Sequence, residues 1–402
     1  MSETTFSERT SAKPGGTWTA RWILLGLLPL ALLAVVMVAI FVTGGGIGNR
    51  AAPPVEELSI QRVRLPEPNL IVLDVVNDGP QPVTIAQVLV DDAYWSFQIV
   101  PDPTLDRLQA ATITIPYPWV AGEAHVISLI STTGATFEAE VPVAVQSPVL
   151  DRGTVLRFAA IGFYVGVVPV ALGLLWYPFL RDLGRRGLRF ALALTIGLLL
   201  FLIVDMVGEA QEVAEAVPGA LSGPLLIPLV ALLSFLFLLA VSNRNPNTPQ
   251  RGLGVAYRIA LGIGLHNLGE GLAIGAAIAL GEIALGVFLI AGFTLHNVTE
   301  GVGIAAPILR TRPALRHFAG LALLAGAPAI LGVWIGGFVY SPLWATVFLA
   351  IGAGAIAQVV GEVARLLAGS ERRQGLALDW VTLGGMTAGI ALMYATSLVI
   401  AA

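Results

Sequence analysis

One short polar signature occurs twice within apolar, helix-length sequence: His266-Asn267-Leu268-Gly269-Glu270-Gly271 and His296-Asn297-Val298-Thr299-Glu300-Gly301. On a helix, residues at i and i+4 share a face, about 6 Å apart along the axis, so each copy offers one imidazole and one carboxylate side by side. The copies begin 30 residues apart. A membrane span takes ~20 residues plus a short turn, which places both signatures at similar depth on neighbouring antiparallel helices. His266, Glu270, His296 and Glu300 would then form a two-imidazole, two-carboxylate set with Asn267 and Asn297 beside it. Nitrogen and oxygen donors of this kind suit Zn²⁺, Fe²⁺, Mn²⁺ or Co²⁺ rather than Cu⁺, and the chain contains no cysteine to bias the choice. Gly271 and Gly275, in G-x-x-x-G spacing, predict a close approach of the two ligand helices that lets them share an ion.

The elements that must hold this set follow from composition. The chain has 402 residues, 56% apolar and 12% charged, and its mean hydropathy of +0.82 marks a polytopic membrane protein with one smaller polar region. A net charge of −4 leaves no basic surface for nucleic acid. Lys13 is the only lysine, a usage that suits a GC-rich prokaryotic genome. Residues 1–21 form a polar cytoplasmic tail, and 22–43 an unbroken apolar run. That run exceeds the ~7–15-residue core of a cleaved signal peptide and is read as a transmembrane anchor. Between 52 and 150 the pattern changes to period two with turn signals, over Leu58–Leu65, Leu70–Val76, Val83–Val90, Thr112–Ile115, His125–Ile130 and Phe137–Val145. A small extracytoplasmic immunoglobulin-like β-sandwich is expected there.

From 152 to 402 eight further apolar runs appear: about 154–180, 188–209, 223–242, 252–279, 283–309, 314–339, 343–367 and 378–400. Every other connection carries arginine, namely Arg181, Arg185, Arg186 and Arg189; Arg244 and Arg251; Arg310, Arg312 and Arg316; Arg365, Arg372 and Arg373, and the connections between them carry no Arg or Lys. Positive charge marks the cytoplasmic side, so the eight-helix unit begins and ends outside, with the β-domain also outside. The expected setting is a plasma or inner membrane crossed several times.

Ionisable groups inside spans are costly and mark cavities or ion routes. Asp205, with Glu209 and Glu212 beyond it, reads as a cation-attracting entrance, set against a plain interfacial role for the two glutamates. Glu362 reads as an exit group, set against a local ion pair with Arg365. His317, after an arginine cluster, is expected to be interfacial. His125, Asp91, Asp92 and Asp102 in the β-region are expected to be ordinary solvated or edge-protecting groups rather than a metal patch.

With these residues in place, the stretch 152–402 resembles the ZIP (Zrt/Irt-like) metal transporters, particularly their bacterial zinc-transporting branch. The resemblance rests on eight helices with both ends outside and on H-N-x-P-E-G-type motifs on the fourth and fifth. It implies transport of a divalent metal ion into the cytoplasm, most simply Zn²⁺, with Fe²⁺, Mn²⁺ or Cd²⁺ as other cargoes and no prosthetic group. It implies a mid-membrane site of His266, Glu270, His296 and Glu300, with Asn267 and Asn297 contributing to a neighbouring one. It also implies inverted repeats around the two central helices, alternating access, and a homodimer in the bilayer.

Two departures stand out. Gly269 and Thr299 replace the motif proline, which predicts a weaker kink or one made elsewhere. Gly326-Ala327-Pro328 lacks the acid that the family's two-metal members carry on the sixth helix, so one good metal site is expected. Two other classes compete with transport. A membrane-embedded zinc hydrolase would need an open coordination position and a base such as Glu362 or Asp205. A non-transporting metal sensor would pass occupancy to the β-domain.

Overall fold

The structure is a computed structural model that describes residues 20–43, 55–242, 251–369 and 379–401. The polar tail up to residue 19 lies outside the described residues. Helix α1 (Ala20–Thr43) runs for 24 residues with Pro29 inside it, and its apolar side chains, among them Leu28, Leu32 and Val36, are exposed. It belongs to a unit of its own; Val55–Ala402 forms a second compact unit.

The β-region is built from β1 (Leu58–Arg64), β2 (Ile71–Asn77), β3 (Val83–Val90), β4 (Ala93–Trp95), β5 (Gln98–Val100), β6 (Thr104–Leu105), β7 (Ala110–Ile115), β8 (His125–Ser131) and β9 (Thr136–Val141). All pairings are antiparallel, in one sheet of order β1-β2-β7-β5 and another of order β4-β3-β8-β9 with β6 beside β3. Period-two alternation drives Ile71, Leu73 and Val75 of the first sheet and Ile127 and Leu129 of the second into one core. Strands β4, β5 and β6 were not expected from the sequence, because two or three residues are too few to display an alternation. Asp91 and Asp92 have φ of 52° and 64° and form the two-residue loop of the β3–β4 hairpin. Both central residues of such a loop need left-handed backbone, which aspartate tolerates better than most.

Among the described residues, eight helices are long and apolar enough to cross a membrane. The first is composite: α2 (Arg152–Gly162), a π-helical turn Phe163–Val167, α3 (Val168–Leu174) and α4 (Tyr177–Arg181). Asp151 caps it through the Thr154 amide at 2.6 Å. Then follow α5 (Arg185–Ala214), α6 (Gly223–Ser242), α7 (Arg251–Ala279) and α8 (Ile283–Ala305). The sixth span is divided into α9 (Leu315–Gly326) and α10 (Pro328–Val339), and α11 (Pro342–Gly369) and α12 (Trp380–Ala401) complete the set.

Helix α7 is the hub, and α6 is its opposite, with Leu225, Leu229, Leu233 and Phe237 facing outward. Glycine decides the closest contacts. A Cβ on Gly271 would strike Ala329 O, and one on Gly275 would strike Val333 O; from the other side, Gly332 and Gly336 lie against the backbone at Leu268 and Leu272. The G-x-x-x-G stripe therefore joins α7 to α10 and not, as expected, to α8. Helix α8 makes the equivalent contact with α3, Gly301 against Gly173. Each of the two signature-bearing helices is thus seated on a broken helix.

The β-region rests on the ends of the helices opposite the arginine-rich connections. Arg62 of β1 donates to Phe338 O at 2.7 Å and Gly337 O at 3.2 Å, meeting the free carbonyls at the end of α10. Its neighbour Gln61 donates to Ala216 O at 3.2 Å, and the Gly219 amide donates to Asp78 at 2.7 Å, both in the α5–α6 connection.

Candidate metal site

Helices α7 and α8 remain continuous through both signatures, so the i, i+4 geometry holds as the spacing predicts. Neither helix is interrupted at the position of the missing proline. Gly269 instead makes room for Leu349 of α11, since a Cβ there would lie 2.6 Å from Leu349 Cδ2. Thr299 turns its hydroxyl back onto His296 O at 2.6 Å.

The six signature residues are brought together and buried, none more than 2% exposed. His266 Nε2 lies 3.4 Å from Glu270 Oε1 and 3.9 Å from Glu300 Oε1, while His296 Nε2 contacts Glu270 Oε1 directly. The imidazoles stack with centroids 5.8 Å apart and an interplanar angle of 22°. Ligand atoms of His266, His296 and Glu300 all lie within 4.8 Å of one another, near enough to share one ion.

The asparagines serve a purpose the sequence did not reveal. Asn297 Nδ2 donates to Val165 O at 3.1 Å, inside the π-helical turn of the first span, and to Glu270 Oε2 at 2.9 Å. Asn267 Nδ2 donates to Ala325 O at 3.0 Å, just before α9 gives way to α10. Each amide satisfies a carbonyl near a break in a neighbouring helix, as buried irregular backbone requires. Their Oδ1 atoms have no partner and remain open to a ligand.

These oxygens belong to a larger set. Beyond the contacts of the two Nε2 atoms with Glu270 Oε1, buried side-chain atoms without a hydrogen-bond partner include His266 Nδ1, Asn267 Oδ1, Asn297 Oδ1 and both oxygens of Glu300. Buried polar groups left in this state are costly, and two buried carboxylates are more so. A divalent cation answers that deficit with the hard and intermediate donors present.

Of the candidate entrance groups, Asp205 and Glu212 are exposed and Glu209 is half-buried. Glu209 lies within electrostatic reach of His266 and Glu270, so these acids approach the site from the β-domain side. Glu362 corrects an expectation: it pairs with Arg258 of α7, not with Arg365, and Gln358 Nε2 donates to it at 2.6 Å. Arg258 was overlooked because it follows Arg251 closely and reads as an extension of a basic loop. It lies two helical turns before His266. His317 is held by Tyr257 at 3.0 Å, away from the site.

In the β-region, Asp91 accepts from His125 Nδ1 at 2.8 Å, Tyr117 OH at 2.8 Å and the Val126 amide at 3.0 Å. Burial would raise its pKa, but these hydrogen bonds together hold it below the usual carboxylate range. Burial first, and Asp91 second, push the Tyr117 phenol up to about 12. This triad braces the hairpin loop; Asp92 and Asp102 take no part in it.

No protein-family model matches the chain, and no curated protein matches it.

Proposed function

We propose that the chain carries a divalent cation, Zn²⁺ in the first instance, across the membrane into the cytoplasm, through the site of His266, Glu270, His296 and Glu300. The observation that carries this reading is the concentration of buried, unpartnered nitrogen and oxygen atoms on α7 and α8. A structural hydrogen-bond network would satisfy its members; this one leaves His266 Nδ1, both Glu300 oxygens and the Oδ1 atoms of Asn267 and Asn297 open. Buried ionisable groups at mid-span are a mark of ion pathways.

The ion would be drawn by Asp205, Glu209 and Glu212, exchange its water for imidazole and carboxylate, and leave toward Glu362. The matched relation of Asn267 to the break in the sixth span and Asn297 to that in the first supports a ZIP-like inverted repeat. Alternating access would follow from motion of one helix group against the other. The β-region is read as an immunoglobulin-like accessory domain outside, and α1 as the anchor.

Zinc uptake into proteoliposomes containing a metal-sensitive dye tests this, comparing the wild type with Glu270→Ala and Glu300→Ala at equal incorporation. Saturable flux lost in both variants is the expected result. Binding without flux for any divalent metal would replace the transporter by a sensor. Metal-dependent hydrolysis without flux would make it an enzyme.

A further inference from the structure

On the arginine-rich face, away from the metal site, a cavity of about 730 Å³ is lined by Arg185, Arg186, Arg189, Arg310 and Arg365, with Asp379 the one acid in its wall. Asp379 is paired with Arg189. The remaining four guanidinium groups make no ion pair with a described residue. Charge placed to orient a membrane protein has no need to converge, and Arg181, Arg312 and Arg316 on the same face stand outside the cavity.

Two further features fit an anion. The 30-residue helix α5 begins at Arg185 on the cavity wall, and its N-cap Gly184 supplies no side-chain acceptor. Its first amides and the positive end of its dipole are therefore available. The rest of the lining is apolar, including Leu188, Leu192 and Leu366, so the space suits a group that is charged at one end only or small enough to sit among the arginines. Planar guanidinium forks match phosphate oxygens in pairs, and basic pockets between spans accept phospholipid headgroups.

We infer that this cavity is a binding site for a phosphate-bearing anion, either an acidic phospholipid headgroup or a soluble phosphate. The reading does not depend on the metal site.

The full chain in neutral detergent would be titrated with pyrophosphate by calorimetry, and, in parallel, recovered from phosphatidylcholine nanodiscs containing phosphatidylglycerol for native mass spectrometry of retained lipid. Each is repeated with R186Q/R310Q/R365Q and with R181Q/R312Q/R316Q, which removes the same charge from the same face outside the cavity. The cavity variant should lose about 10-fold or more in one arm, as expected for lost charge-assisted hydrogen bonds, with the other variant unchanged. The arm that responds identifies the source of the phosphate. Absence of binding in both arms, or equal loss in both variants, would overturn the site. An unchanged thermal unfolding midpoint reports that the variants are folded; should the triple variant fail that check, R365Q alone takes its place.

Discussion

Asn297 and Glu270 face each other across the two ligand helices, the amide donating to the carboxylate at 2.9 Å while it also holds Val165 O of the first span. A single side chain thereby orients a candidate ligand and fastens the helix that carries its partner to a broken neighbour.

Replacing Asn297 by Ala should weaken Zn²⁺ binding about 10- to 100-fold, the usual effect of losing a group that orients a ligand. Calorimetry with Zn²⁺ checks it. Unchanged affinity would mean that Glu270 is held well enough by His296 alone.

The Arg258–Glu362 pair should show strong coupling. Glu362 is 6% exposed and Arg258 35%, so Glu362→Gln should cost up to about 3 kcal/mol, the low end for breaking a buried pair. Arg258→Gln should be costly too, and the double variant less so than the sum of the two. Thermal unfolding of the four proteins in detergent gives the cycle; additive losses would show the two groups act independently.

At Gly271 there is no room for a methyl group, since α10 backbone occupies the position of its Cβ. Gly271→Ala should therefore destabilise by about 1–3 kcal/mol through overpacking. Gly361 is the control: nothing lies within 4 Å of a Cβ there, so Gly361→Ala should be neutral or stabilising by up to about 1 kcal/mol. The order of the two unfolding midpoints decides the matter.

In the β-region the pH dependence has a definite sign. Tyr117 has a raised pKa in the fold, so its contribution is complete below the unfolded value of about 10. It is lost as pH rises from there through about 12. Asp91 has a lowered pKa, so its contribution is present above about 3.9 and lost as pH falls below it. The stability difference between wild type and Tyr117→Phe should shrink across the alkaline window and stay level from pH 6 to 9.

The eight long apolar helices were legible in the sequence as apolar runs, and the longer strands because burial imposes a period that residues such as Ile71, Leu73 and Val75 display openly. His266, Glu270, His296 and Glu300 were legible for a different reason: ionisable groups inside apolar helices are conspicuous. What escaped was pairing across distance. Nothing in the sequence tells which helix Gly271 will meet, that Arg258 will find Glu362 rather than leave it to Arg365, or that Asn267 and Asn297 will attend to carbonyls of Ala325 and Val165. Such choices depend on how helices are arranged around one another, and a local pattern carries no record of that.

Gln61 and Arg62 are consecutive residues of one strand, yet they hold Ala216 beyond α5 and Phe338 at the end of α10. Consecutive Cα atoms are about 3.8 Å apart, and that distance does not stretch. Two separate helix ends are therefore tied through two side chains and the single peptide unit between them. Any step that separates them beyond the reach of these side chains must first release one grip, which makes the strand a latch whose opening costs one hydrogen bond at Gln61 or two at Arg62.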